Sequence, residues 1–270
     1  MIRPPIQTLP PEGDPEGTVV FVHGTMDRGL AFRRVCEHLA GWERIGYDRR
    51  GWGWRTPAAR TADRTVLLAD HVADLVEILS PLHRPVVVGH SYGALVALTA
   101  AAALPPKSLR VVLAFEPPIR WLPWWPVEAP WEQAVRAAAR SGGQAVAGAL
   151  IKAVTGLPPQ RTGRSAQDLE VDGMTAFAEM SDPTLTVPSF EPTALATPVL
   201  VAAGGISLAH HRVVSRRLAE LLPHGRFAEI PGSGHLPHLS HPPEFARLIK
   251  QATCPDAADR NAHTATPSED

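Results

Sequence analysis

Lysine is scarce in this 270-residue chain, present only as Lys107, Lys152 and Lys250, and the arginines that outnumber it are spread out and matched by acids to a net charge of −1. Such a balance gives no sign of the basic surface by which a nucleic-acid binder displaces counterions, and no nucleic-acid partner is expected. With abundant alanine and proline, the arginine preference reads as coding bias. Cysteine occurs only as Cys36 and Cys254, which gives no disulfide framework; Cys36 is expected to pack within a helix over 31–39. No run of 18 apolar residues exists, so no membrane span is expected. Met1-Ile2-Arg3-Pro4-Pro5 leads into prolines and acids without the apolar segment of a secretory signal, and a cytoplasmic location is expected. Neither a GxGxxG nor a P-loop lysine pattern appears, so no nucleotide cofactor is expected.

What is present is enough apolar material, 44% of residues, to bury one large core as a single domain with an insertion. Short apolar runs predict six strands, mostly parallel, at 18–22, 43–47, 85–88, 110–115, 198–203 and 226–230. Residues 1–17 read as an N-terminal extension, 18–116 and 194–254 as an α/β core, 117–193 as a helical cap, and 255–270 as a polar, disordered tail. Arg49 and Arg50 read as structural partners of Asp48 near a turn.

The most informative stretch is Val86-Val87-Val88-Gly89-His90-Ser91-Tyr92-Gly93-Ala94-Leu95. A GxSxG between a predicted strand and a predicted helix is a nucleophile elbow, which exposes Ser91 Oγ above the sheet and aims the Tyr92 N–H at developing negative charge. A serine hydroxyl needs a base to take its proton. Of the twelve histidines, His235 is preferred because it sits in the glycine-rich loop Gly232-Ser233-Gly234-His235, between the last predicted strand and a C-terminal helix starting near Pro242.

These motifs, with the strand into His23-Gly24-Thr25 and the turn Tyr47-Asp48-Arg49-Arg50-Gly51, resemble the α/β-hydrolase superfamily over about Thr18 to Ala252. The resemblance implies a mostly parallel sheet flanked by helices, with the N-terminal hairpin of full-length relatives shortened or missing here. It implies a second oxyanion donor in the backbone N–H of Thr25, with Met26 the next candidate. Much of the family keeps its catalytic acid in the loop after the penultimate strand, yet that loop, Gly204-Gly205-Ile206-Ser207-Leu208, holds no carboxylate, and Ser207 occupies the slot. Glu116 is the expected replacement. It follows the apolar run 110–115 and is cut off by Pro117-Pro118; adjacent parallel strands lie about 4.8 Å apart, so a carboxylate at one tip reaches a histidine above the next. Some branches of the superfamily place their acid there.

About eighty residues between Glu116 and Pro198 break the strand–helix alternation, and a cap that selects substrate is expected there, with helices over 132–154 and 165–180. Trp121, Trp124 and Trp125 are candidate lining residues, as are His90 and Leu236 beside the nucleophile and base. The tryptophans equally suit packing of the cap on the core, and attachment to lipid is a third reading. The spacing of His235, His238 and His241 raises a metal site, but Pro237 and Pro242 interrupt any helix that would align the rings, and no metal is expected.

The expected activity is cleavage of a small apolar carboxylic ester, lactone or thioester by water through an acyl-enzyme. A serine nucleophile argues against relatives that use a carboxylate to form an alkyl-enzyme ester. Cleavage of a C–C bond or perhydrolysis by the same three residues remains open, as does a binding protein that kept the pocket without turnover.

Overall fold

The computed structural model describes residues 6–53 and 66–253. The expected tail over 255–270 and Cys254 lie outside the described residues.

A seven-stranded sheet runs in the order β1-β3-β2-β4-β5-β6-β7, formed by β1 (Ile6–Leu9), β2 (Gly17–Val22), β3 (Trp42–Tyr47), β4 (Val86–His90), β5 (Val111–Phe115), β6 (Val199–Gly204) and β7 (Gly225–Ile230). The last six match the expected strands to within two residues at each end. The seventh corrects the sequence reading: Ile6–Leu9, placed within the extension, pairs antiparallel with β3 from Ile6–Tyr47 to Leu9–Arg44. All four of its side chains are exposed, so it has no apolar face for a sequence pattern to reveal; main-chain pairing to an edge strand holds it.

The central strands β4, β5 and β6 are buried along their whole length, the continuous apolar run typical of strands covered on both faces. Their register is aligned: His90 lies opposite Phe115, and Phe115 opposite Ala202. Residues that leave the carboxyl ends of β4, β5 and β6 therefore emerge side by side. The chain order reverses between β2 and β4, the point where open parallel sheets form a crevice outside their carboxyl ends.

Helices flank this sheet. After the 3-10 turn Gly29–Phe32 comes α1 (Arg33–Cys36), shorter than the helix expected over 31–39, with Cys36 buried. Then follow α2 (Leu68–Leu79) and α3 (Tyr92–Ala103). The insertion between β5 and β6 carries α4 (Pro130–Ala138), α5 (Gly143–Thr155) and α6 (Ala166–Met180). One helix was expected over 132–154; two form because Gly142, at φ +97°, turns the chain between them and the Glu170 carboxylate caps the new start at Gly143 N, 2.9 Å away. Helices α5 and α6 cross so closely that a Cβ on Gly173 would fall 1.8 Å from the Gly143 carbonyl oxygen. The insertion has its own small core, in which Val135, Val146 and Ala176 close over Met26 and Trp52 from the loops after β2 and β3. The described residues close with α7 (Ala209–Leu221), the short α8 (Pro237–Ser240) and α9 (Pro242–Ala252).

Candidate active site

Ser91 sits between β4 and α3 with φ +53° and ψ −125°, a conformation that costs a non-glycine residue of order 1–3 kcal/mol. Its neighbours impose it. A Cβ on Gly93 would lie 2.1 Å from the Val22 carbonyl oxygen, and one on Gly89 2.4 Å from Ala94 Cα, so only glycine lets α3 start this close to β2 and β4. The Ser91 N–H donates to Phe115 O at 2.8 Å, and Ser91 O accepts from Ala94 N at 2.8 Å. Ser91 Oγ makes no capping bond to α3 and lines a cavity instead.

Glu116 leaves the tip of β5, fully buried, at φ +48°. Its N–H continues the ladder to Ala202 O at 2.9 Å, and its Oε1 accepts the Gly204 N–H at 2.8 Å. Its Oε2 accepts from His235 Nδ1 at 2.5 Å. Burial alone would raise this carboxyl, but His235, His211 and the Gly204 N–H together hold it down to about 2. An ionised carboxylate only accepts, so His235 Nδ1 is the donor of this bond, and in the neutral ring it is Nε2 that holds the free lone pair. The acid-free loop after β6 contributes in another way. Ser207 Oγ is buried there with no partner among the described residues, and the strand end at Gly204 supports Glu116 from the adjacent strand.

The turn after β2 packs against the elbow: a Cβ on Gly24 would fall 3.1 Å from Ser91 Cβ. Thr25 and Met26 follow, Met26 at φ +60°. Tyr92 is the first residue of α3, so its N–H has no acceptor within the helix. Thr25, Met26, Tyr92, Ser91 and His235 share one cavity of about 490 Å³.

The other wall of that cavity comes from the insertion. Trp125 and Trp131 line it, together with His90 and Leu236, whereas Trp121 and Trp124 do not. Trp121 packs edge-on to Phe190 with centroids 5.6 Å apart, and Trp124 lies under the Arg217 guanidinium at 5.9 Å. Two of the three expected tryptophans thus pack rather than line. His211 also faces the cavity, its Nδ1 3.9 Å from Glu116 Oε2 and its pKa lowered to about 3 by burial and by the charge of His235.

Two clusters could in principle offer ligands to a metal: Asp27, His90 and His238, and Glu116, His211 and His235, with the atoms of each set within 4.8 Å of one another. In both, a carboxylate oxygen is already bonded to a histidine nitrogen, His238 to Asp27 at 3.0 Å and His235 to Glu116. The ring of His241, the third residue of the suspected metal spacing, meets its neighbour, Nδ1 lying 2.9 Å from Ser240 Oγ.

Arg49 and Arg50 do not pair with Asp48. Arg50 grips Asp74 through two bonds of 2.6 and 2.5 Å, while Asp48 accepts the Gly29 N–H at 2.9 Å. The buried Arg49 pairs with Glu179 of α6, a residue that the sequence reading missed. A signal for it existed. Asp172 and Glu179, seven residues apart, lie on the same buried stripe as Leu169 and Ala176, and buried acids imply partners.

The Alpha/beta hydrolase family model matches residues 19–248. Among solved structures, the esterase EaEST from Exiguobacterium antarcticum is similar at 16% identity, covering 92% of this chain and 95% of that one, with a TM-score of 0.73. A thermophilic esterase from Thermogutta terrifontis aligns at 21% identity over 96% of this chain and 94% of that one, TM-score 0.67. MenH from S. aureus aligns at 18% identity over 92% and 97%, TM-score 0.70. At these identities the structures speak for the fold, and it is the family match across most of the chain, joined to the strand order and the elbow, that shows this chain to belong to the alpha/beta hydrolase family.

Proposed function

We propose that this chain is a serine hydrolase that cleaves a small apolar ester-type bond, whether carboxylic ester, lactone or thioester, through an acyl-enzyme. The observation that carries this reading is the His235 Nδ1 to Glu116 bond of 2.5 Å, made beside a Ser91 held in the elbow conformation. Ser91 Oγ attacks the carbonyl carbon while His235 Nε2 accepts its proton, and the imidazolium so formed is stabilised by ionised Glu116. The tetrahedral oxyanion is met by the N–H groups of Tyr92 and Thr25. His235 then returns the proton to the leaving group, and water repeats the sequence to release the acid. The insertion acts as a cap, and its Trp125, Leu150 and Ile151 give the acyl or alcohol portion an apolar wall. Esterases among the similar folds agree with this chemistry, but the substrate class rests on the site.

Turnover of short- and medium-chain p-nitrophenyl esters by wild type and Ser91→Ala, with fluorophosphonate labelling alongside, tests the reading. Turnover and labelling that both vanish in Ser91→Ala support it. Absence of both in the wild type would overturn it.

A further inference from the structure

The oxyanion turn is held from outside the core. Glu179, in the last turn of α6, is 3% exposed, and its carboxylate gathers groups from three separate core elements. Its Oε2 accepts from Thr25 Oγ1 at 2.5 Å. Its Oε1 receives Arg49 Nη1, accepts from Trp52 Nε1 at 3.3 Å and lies 3.5 Å from His71 Nε2. Arg49 in turn holds the residue that leads into the turn, donating Nε to His23 O at 2.8 Å and its backbone N–H to His23 Nε2 at 2.9 Å. Two further bonds reach the same turn from the insertion: Arg164 Nη2 donates to Met26 O at 2.7 Å, and Arg28 Nη2 donates to Asp172 Oδ1 at 2.7 Å.

We infer that Glu179 is a positioning residue which couples docking of the helical insertion to the geometry of the Thr25 oxyanion donor. This inference rests on the serine-hydrolase reading above. Met26 stands at φ +60°, a conformation that persists only when surroundings over-determine it, and the insertion supplies much of those surroundings through the Arg164 bond to Met26 O and through Val135, Val146 and Ala176. Burying a carboxylate and a guanidinium carries a desolvation cost that offsets much of their attraction, so such a pair fixes orientation better than it adds stability. Here it fixes the direction of the Thr25 side chain, and with it the peptide plane carrying the Thr25 N–H. The docked insertion thus supplies both the acceptor of Thr25 Oγ1 and the counter-charge of Arg49, and undocking it would remove both.

Thr25→Val removes the hydroxyl at constant shape, Thr25→Ser restores it, and Glu179→Gln removes the charge. The first and third are expected to lower kcat for a p-nitrophenyl ester by about 10- to 100-fold with KM within about threefold, part of the full loss of one oxyanion donor. They should weaken inhibition by an alkyl trifluoromethyl ketone, whose adduct places an oxyanion in the hole, by the same factor, and Thr25→Ser should recover most of the loss relative to Val. Wild-type kcat and ketone affinity in both Thr25→Val and Glu179→Gln would overturn the inference, as would a lowered melting temperature with unchanged kcat per folded molecule. Deuterium uptake by a peptide spanning 23–28 gives a readout independent of activity. Faster uptake in Glu179→Gln supports the coupling, and identical uptake rejects it even if the chain proves to hydrolyse nothing. An inert, unlabelled wild type with faster uptake in the variant would instead remove only the hydrolase reading.

Discussion

His90, the residue before Ser91, holds the backbone of His235: His90 Nε2 donates to the carbonyl oxygen of His235 at 2.7 Å, across 145 residues of sequence. His90 is buried, and burial, with the charges of His238 and His235, keeps its pKa well below the ordinary histidine value. It is therefore neutral at physiological pH, with its proton on the nitrogen that faces His235. His90→Phe keeps the ring volume and removes the donor. With a net hydrogen bond worth about 1 kcal/mol, kcat for an ester should fall about five- to tenfold with little change in KM. Steady-state kinetics showing wild-type kcat would mean that the 231–236 loop positions His235 without this bond.

Glu116→Gln tests the carboxylate more severely. Its amide can still accept the Gly204 N–H, so the fold should survive, but it cannot stabilise an imidazolium. Turnover should drop by about 10²- to 10⁴-fold. A circular-dichroism melt close to wild type together with near-normal turnover would remove Glu116 from the mechanism.

Acid sensitivity follows from the buried histidines. His23, His71, His90 and His211 are all held below the ordinary value, first by burial and then by nearby cations or other histidines, His211 to about 3. The unfolded chain takes up these protons near pH 6.5 while the folded chain does not. Stability therefore rises with pH across this window and is lost as pH falls below 6.5, at up to about 1.4 kcal/mol per pH unit for each histidine. Glu116, lowered to about 2, adds a second loss as pH falls from 4.5 towards 2. Urea midpoints should decline steadily from pH 7 to pH 5, and a flat profile over that range would contradict the buried neutral rings.

The two adjacent tryptophans separate by role. Trp125 lines the cavity and packs against His211 with centroids 5.2 Å apart, whereas Trp124 lies outside it. Trp125→Ala should raise KM for medium-chain esters by about tenfold, through lost apolar contact. Trp124→Ala should leave KM within about twofold. Equal effects on KM would place both rings in substrate binding.

Gly93→Ala brings a methyl to 2.1 Å from the Val22 carbonyl oxygen, where backbone rather than a flexible side chain must yield. A loss of more than about 3 kcal/mol is expected, read as a collapse in soluble yield or in the denaturation midpoint. A soluble variant with a wild-type midpoint would show that the elbow can widen.

Six of the seven strands were legible, most plainly the central β4, β5 and β6, which are apolar on both faces, as Val86-Val87-Val88 is. The edge strand Ile6–Leu9 was not, since its side chains are exposed and its pairing is main-chain only. Ser91 and Glu116 were legible as candidates because each stands where an apolar strand stops, and His235 because it sits in the glycine-rich loop after the last one. The local sequence by itself determined where the chain leaves each strand, which glycines permit the elbow and which residue types stand at the strand tips. Only the tertiary structure decided partners: that Arg49 turns to Glu179 rather than Asp48, that Trp125 and not Trp124 meets the cavity, and that His90 grips His235. Those choices depend on helix crossings and sheet register between distant segments, and no spacing along the chain encodes them.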